Sequence, residues 1–225
     1  MCGRFTLTTP AEEWAELFEV HPVDTEPRYN VAPTESIVAV RRTEPGREAT
    51  RFRWGLIPAG TKDPDDLPLM INARRETIRT RPAFRESFLE RRCLVIADGF
   101  YEWLPDAGGK RPFWFHLASG RPFGLAGVWD RWEGPDGPVE SCAIVTTEAS
   151  EDVALVHDRM PAVLSLEAAR RWLAPRAGPS ELNALLADQP PGRLARREVS
   201  TRVSNIQNDD PQCLSPSGTQ VDLFA

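Results

Sequence analysis

The sequence predicts an α+β fold in which strands dominate and form a curled sheet or small barrel. Two observations carry this. Segments with two-residue alternation or short apolar runs outnumber helical ones. They do not alternate regularly with helices, which argues against a doubly wound parallel sheet. There is no internal repeat and no clean linker. The expected organisation is therefore a single domain over 1–210 and a loose polar tail over 211–225.

The elements follow in order. Thr9-Pro10-Ala11-Glu12 reads as an N-cap, a proline at the first helical position and a capping-box glutamate. Trp14, Leu17 and Phe18 then share one helical face. A loop is expected around Pro22, Pro27 and Pro33. Residues 36–42 and 50–57 have strand character and are joined by a turn at Pro45-Gly46. Residues 58–69, rich in Pro, Asp and Gly, read as a surface loop.

Residues 76–80 suit one helical turn, and Pro82 starts a helix with Phe84, Phe88 and Leu89 facing inward. Residues 93–103 read as one buried strand and 106–110 as a hairpin turn. Strands at 112–117, 123–132 and 141–147 complete a β-rich middle, and 160–164 adds a short one. Ser165 caps a helix carrying Leu166, Ala169, Trp172 and Leu173, and Ser180 caps another with Leu182, Leu185 and Leu186. A last strand is expected at 198–203.

Composition narrows the class. The 225 residues are 41% hydrophobic and 27% charged, as in soluble globular chains. No apolar run approaches the ~18 residues of a membrane span, and the first residues lack a signal peptide's apolar core. A cytosolic chain with no membrane contact is expected. Cys2, Cys93, Cys142 and Cys213 are scattered with no C-x-x-C pair, so neither a zinc site nor a disulfide framework is expected. Cys93 and Cys142 sit in apolar runs and read as buried core thiols. The net charge is −6, yet residues 41–92 hold 13 basic and 8 acidic residues. That asymmetry fits a basic stripe on an acidic body, although an ordinary solvated surface has the same composition.

Cys2 is the first chemical candidate. Initiator methionine is generally trimmed when the next residue is small. Removal of Met1 leaves Cys2 with an α-amine titrating near ~8 beside a thiol near ~8.5. Amine and thiol on adjacent carbons can close a five-membered thiazolidine ring with an aldehyde, without a cofactor. Gly3 permits close backbone approach, and Arg4 sets a cation beside the thiol, favouring thiolate. Three further segments set polar groups against apolar runs: Ile71-Asn72-Ala73-Arg74, Asp98-Gly99-Phe100-Tyr101-Glu102-Trp103, and His157-Asp158-Arg159-Met160-Pro161. A carboxyl packed among aromatic rings, as at Glu102, has a raised pKa suited to proton transfer near neutrality. His157 has a neighbouring acid able to orient it. Taken singly, a frayed terminal cysteine, a structural amide, a salt-bridged surface glutamate and a solvated histidine are the simpler readings.

Seven elements occur in one order along the chain: MCGRF at 1–5, RYNVAPT at 28–34, RWGLIP at 53–58, INARRET at 71–77, ADGFYEW at 97–103, HDRMPAVL at 157–164 and VSTRVSNIQN at 199–208. This series resembles the SOS-response-associated peptidase family, the abasic-site processing proteins. The resemblance implies an α+β fold with a curled, partly barrel-like β structure flanked by helices. It implies that Cys2, freed by Met1 removal, bonds to the opened deoxyribose of an abasic site in single-stranded DNA. Catalytic roles would fall to Cys2, to Asn72 orienting the reacting terminus, to Glu102 as general acid and base, and to His157 holding or protonating the sugar oxygen. DNA contacts would come from Arg4, Asn30, Pro33, Trp54, Arg74 and Arg159, with Asn30 and Pro33 shaping the pocket wall. The peptidase label would refer chiefly to removal of the chain's own first residue. No cofactor and no metal are implied, and a monomer working on DNA in the cytoplasm is expected. One departure is that many relatives have a tryptophan soon after W-G-x-x-P, whereas here residues 58–62 contain no aromatic.

The tail makes a separate suggestion. Gln220, Leu223 and Phe224 match the short peptide with which bacterial repair proteins dock on the replication sliding clamp. A strand packed on the domain is the alternative. Two other functional readings stay open: an N-terminal-nucleophile amidohydrolase such as a glutamine amidotransferase, and a DNA-binding module without catalysis.

Overall fold

A computed structural model describes residues 2–44, 46–187, 190 and 192–217. The chain begins with β1 (Phe5–Leu7), α1 (Ala11–Phe18), β2 (Arg28–Val31), β3 (Ser36–Arg42) and β4 (Arg47–Trp54). After the 58–69 loop come β5 (Asn72–Arg74) and α2 (Pro82–Glu90). A run of five strands follows: β6 (Arg92–Ala97), β7 (Gly99–Asp106), β8 (Gly109–Leu117), β9 (Phe123–Gly134) and β10 (Gly137–Glu148). Then come α3 (Glu151–Ala154), β11 (Arg159–Pro161), β12 (Val163–Leu164), α4 (Leu166–Trp172), α5 (Pro179–Leu185) and β13 (Leu194–Glu198). Short 3-10 turns at Thr201–Ser204 and Pro211–Leu214 lead to the end of the described residues.

Strand β10 closes the barrel. It pairs antiparallel with β9 along most of its length and parallel with β4 at Ser141 and Cys142. The remaining pairs β4–β3, β3–β6 and β6–β9 complete a ring of five strands. Closure leaves these strands no open edge to template aggregation. Beyond β4, β10 continues alongside β5, so Ile144 stands beside Asn72.

Alternation along the barrel strands makes two cores. Ile37, Ala39, Cys93, Val95 and Cys142 point into a cluster with Phe52 and Trp54. Val38, Val40, Leu94 and Ile96 point the other way, against Trp14 and Phe18 of α1, Phe84 and Phe88 of α2, and Trp172 of α4. A strand buried on both faces reads as an unbroken apolar run, which is why β6 lacks visible alternation. Cys93 and Cys142 are free and buried, as expected. The second sheet has the order β13-β8-β7-β1-β2. Phe5, Phe100 and Phe115 on its inner face extend the barrel's inner cluster. Its outer face carries Tyr101 and Trp114, covered by Val203 and Cys213.

Several expectations need correction. The expected strand 93–103 is two strands that belong to different sheets, broken at Asp98. The Asp98 carboxylate accepts hydrogen bonds from the hydroxyls of Thr6, Thr8 and Thr9 and from the backbone N–H of Thr8 and Thr9. The bend also needs a glycine beside it, because a Cβ at Gly99 would lie 2.1 Å from Nε1 of Trp114. With its hydroxyl bonded to Asp98, Thr9 does not cap α1, whose cap position is Pro10. Ser165 does cap α4, accepting from the Ala168 N–H at 3.1 Å. Ser180 instead lies inside α5, whose cap position is Gly178.

Residues 160–164 split at Ala162, where β11 pairs with β10 and β12 with β9. The last strand lies at 194–198, because Ser200 accepts from the Arg202 N–H and starts a 3-10 turn. Residues 211–217 are not loose: Cys213 is buried and Pro216 bridges to Val199. Pro45 of the expected turn and the clamp-like residues Gln220, Leu223 and Phe224 lie outside the described residues.

Because Asp98 satisfies two backbone N–H groups as well as three hydroxyls, Asp98→Ala is expected to cost roughly 3 kcal/mol or more. The measurement is urea unfolding, with the midpoint falling at an unchanged m-value. A loss under about 1 kcal/mol, the net worth of a single ordinary hydrogen bond, would contradict this account of the bend.

Candidate functional site

The start of the chain lies against β7. The register Phe5↔Phe100 and Thr6↔Gly99, continued by the Tyr101 N–H donating to Arg4 O at 3.0 Å, brings Gly3 opposite Glu102. Glu102 and Phe100, two residues apart, share one face of β7. Phe100 completes the inner core, and Glu102 stands one step further along, where that core meets an open cleft. The cleft measures about 670 Å³ and is lined by Gly3, Arg4, Pro33, Glu102, Trp103 and His157, with Lys110, Ser204 and Ile206 at its margin.

Cys2 is fully buried in the inner cluster. Asn72, carried by β5, donates its side-chain amide to Cys2 O at 2.8 Å. The other half of that amide, Oδ1, is buried with no hydrogen-bond partner among the described residues. Trp54 lies beneath this segment: its indole N–H donates to Ile71 O at 2.9 Å, and its ring is 5.3 Å from that of Phe5.

The electrostatics differ in part from the sequence expectation. Burial pushes the Cys2 thiol well above its ordinary pKa, and the charge of Glu102 acts in the same direction. Arg4 does not counter this with a thiolate-stabilising contact, because its guanidinium donates to Asn30 Oδ1 and Val203 O, both at 2.8 Å. Glu102 follows the expectation. Burial lifts its carboxyl from 4.5 to about 7, against the pull of the positive amino terminus. His157 Nε2 is 4.0 Å from Glu102 Oε2. Its Nδ1 accepts the Arg159 N–H at 2.9 Å, which directs the proton of the neutral ring to Nε2, facing Glu102. Burial holds His157 below the usual imidazole range.

The structure therefore brings Cys2, Asn72, Glu102 and His157 together, with Arg4 and Pro33 beside them. The other expected DNA contacts separate. Arg74 is exposed and has no carboxylate partner among the described residues. Arg159 is already engaged: it holds Glu76 with its two terminal guanidinium nitrogens, at 2.7 and 3.0 Å, and donates to Thr146 O at 2.7 Å. Trp54 is 0% exposed and cannot stack on a base, so its role is to support residues 71 and 72. Asn30 is also fully buried; its amide serves the carbonyls of Val203, Asn205 and Asn208, fixing the cleft wall. The sequence reading had not singled out Lys110, Ser204 or Ile206. Ile206 is 51% exposed, and an apolar side chain within the polar stretch 199–208 was the available signal. Among the described residues no three His, Cys, Asp or Glu side chains converge as a metal site, and no helix is long and apolar enough to cross a membrane.

The raised Glu102 pKa has a stability consequence of definite sign. The folded state holds this proton more tightly than the unfolded chain. The associated stability is fully present below about 4.5 and is lost as pH rises through about 7. Glu102→Gln keeps a neutral group there at every pH. Its thermal midpoint, relative to the unsubstituted protein, is expected to rise between pH 5 and pH 8. A difference that stays constant over that interval would show that Glu102 does not titrate there.

Comparison with known proteins agrees with this architecture. The family model described as SOS response associated peptidase (SRAP) matches residues 1–206. Abasic site processing protein YoqW of Bacillus subtilis is 36% identical, covering 95% of this chain and 99% of its own length. Abasic site processing protein YedK of Escherichia coli is 31% identical, over 96% and 100% of the two chains. A crystal structure of a protein from Bacteroides thetaiotaomicron superposes with a TM-score of 0.86, covering 96% of this chain and 100% of the other; at 24% identity it speaks for the fold alone. The family match spans nearly all of the described fold and includes Cys2, Asn72, Glu102 and His157. This chain belongs to the SOS response associated peptidase family.

Proposed function

We propose that the protein processes abasic sites by bonding to them covalently through Cys2 in single-stranded DNA, after Met1 has been removed. The names of its relatives support the target. The observation that carries the chemistry is that the Cys2 backbone, held by Asn72, runs into a cleft at Gly3 where a carboxyl of pKa about 7 and an imidazole 4.0 Å from it converge.

An abasic deoxyribose is mostly a closed hemiacetal, and opening it moves one proton from the hydroxyl on C1′ and delivers one to the ring oxygen. Glu102, half ionised near neutrality, suits the first transfer, and His157, once doubly protonated and with its Nε2–H turned to the same space, suits the second. The neutral α-amine of Cys2 then adds to the C1′ aldehyde, and loss of water leaves an imine. The thiol adds to the same carbon, its proton passes to the nitrogen, and a thiazolidine closes. One water is released in total. Deprotonation of the buried thiol is disfavoured, so a base beside it is required, and Glu102 lies on the same strand register as Gly3. With nitrogen and sulfur both on C1′, the product lacks the imine that promotes strand cleavage by β-elimination.

Arg74 supplies a phosphate contact without first breaking an ion pair, whereas Arg159 positions the His157 segment. The peptidase term in the family's description fits removal of the chain's own first residue. A monomer acting on DNA in the cytoplasm suffices for this reading, and docking of residues 220–224 on a sliding clamp is an independent proposal.

On denaturing gels with single-stranded abasic DNA, Cys2→Ala is expected to give no stable product. An uncleavable N-terminal extension is expected to do the same; normal crosslinking by such a protein would exclude the free amine. Glu102→Gln is expected to slow capture by roughly 10²–10⁴-fold while leaving affinity for intact single strands unchanged. Equal loss of both would make Glu102 structural. Arg74→Ala is expected to reduce the salt slope of binding by about 0.7; an unchanged slope would remove the phosphate role.

A further inference from the structure

His157 has two partners on the side of its ring facing away from Glu102. The Arg159 N–H donates to Nδ1 at 2.9 Å, and Asp158 Oδ1 lies 3.0 Å from the same nitrogen. These contacts favour opposite states. A neutral ring protonated on Nε2 accepts the Arg159 N–H and gains nothing from the carboxylate. A ring carrying a proton on Nδ1 loses the backbone donor but gains Asp158 as acceptor. The Asp158 side chain is 88% exposed and His157 26%, so solvent can deliver a proton to this side of the ring.

We propose that Asp158 is a positioning residue for His157, the solvent-side carboxylate that holds the Nδ1 proton whenever the ring is doubly protonated or has given up its Nε2 proton. The assignment rests on the reading in which His157 protonates the sugar oxygen. In that step the imidazolium gives its Nε2 proton to the ring oxygen of the sugar and keeps the Nδ1 proton, now donated to Asp158. The neutral ring thus forms as the Nδ1–H tautomer, and return to the resting tautomer uses solvent at the Asp158 side. Without Asp158 the Arg159 N–H still donates to Nδ1, and the double protonation needed to start the step is disfavoured.

The other groups around the ring do not duplicate this role. Glu102 on β7 faces Nε2. Arg4 and Lys110 line the same cleft, and the chain's amino terminus and the Arg159 guanidinium oppose a positive ring. The Cys2 thiol is buried in its neutral form. The Arg159 guanidinium is paired with Glu76.

The test is an imidazole nitrogen NMR titration of the full protein without DNA, with the His157 signal assigned by its loss in His157→Gln. Asp158→Asn is expected to lower the His157 pKa by about 0.2–0.7 unit, the range of a solvent-exposed pair. Asp158→Glu is expected to stay nearer the unsubstituted value. Added salt should narrow the difference in His157 pKa between the unsubstituted protein and Asp158→Asn. On abasic DNA, Asp158→Asn should move the alkaline limb of the capture rate to lower pH by the same amount. A His157 titration identical in Asp158→Asn and unsubstituted protein at low salt would overturn the assignment. Because that readout needs no DNA, it is separable from the functional reading: normal coupling with no covalent capture would overturn the function and leave the pair intact.

Discussion

The hydrogen bond from Asn72 to the carbonyl of Cys2 ties the first residues of the chain to the barrel. A free chain start ordinarily frays, because few contacts offset its conformational entropy. Here Asn72 holds the Cys2 carbonyl, the Arg4 carbonyl takes the Tyr101 N–H, and Phe5 enters the β1–β7 register. Asn72 is itself fixed, since β5 runs beside β10 and the Trp54 indole holds the preceding carbonyl. The barrel closure made by β10 is thus what sets Cys2 against Glu102 and His157.

The same burial that orders the site shapes its chemistry. It keeps the Cys2 thiol protonated and lifts Glu102 to about 7. A resting thiol is protected from adventitious oxidation, which favours exposed thiolates. In the proposed reaction it becomes nucleophilic only when a neighbouring base takes its proton, which would make the two shifted groups a matched pair. Two of the cations near the site are committed to architecture. Arg4 holds the cleft wall through Asn30 and Val203, and Arg159 holds the His157 segment to Glu76. Loose cations there would depress the Glu102 pKa and shift its titration out of the neutral range.

Much of the fold was legible where one physical rule dominated. The alternation of residues 36–42, the proline at 82 and the Ser165 cap were each settled by local chemistry. The elements that failed depend on long-range partners. Strands β1, β2 and β5 are three or four residues long, too short to carry a period; β7 templates β1, β1 in turn templates β2, and β10 templates β5. The break at Asp98 is set by threonines nearly ninety residues earlier and leaves no mark in a hydrophobic profile. In the site, Glu102 could be read because an acid among aromatic residues points to burial. Trp54 misled for the converse reason: composition marks it as able to stack on a base, and only the three-dimensional fold shows it buried with its indole N–H already bonded to the protein's own Ile71 carbonyl.

Intact-mass analysis of the adduct formed with single-stranded DNA bearing one abasic site reads the central claim most directly. The expected species has the mass of the chain without Met1 plus the DNA strand, less one water, and does not gain hydrogen on borohydride treatment. Fragmentation is expected to locate the DNA on Cys2. An adduct that retains Met1, that takes up two hydrogens as an open imine does, or that carries the DNA on a lysine would contradict capture through the paired amine and thiol of Cys2.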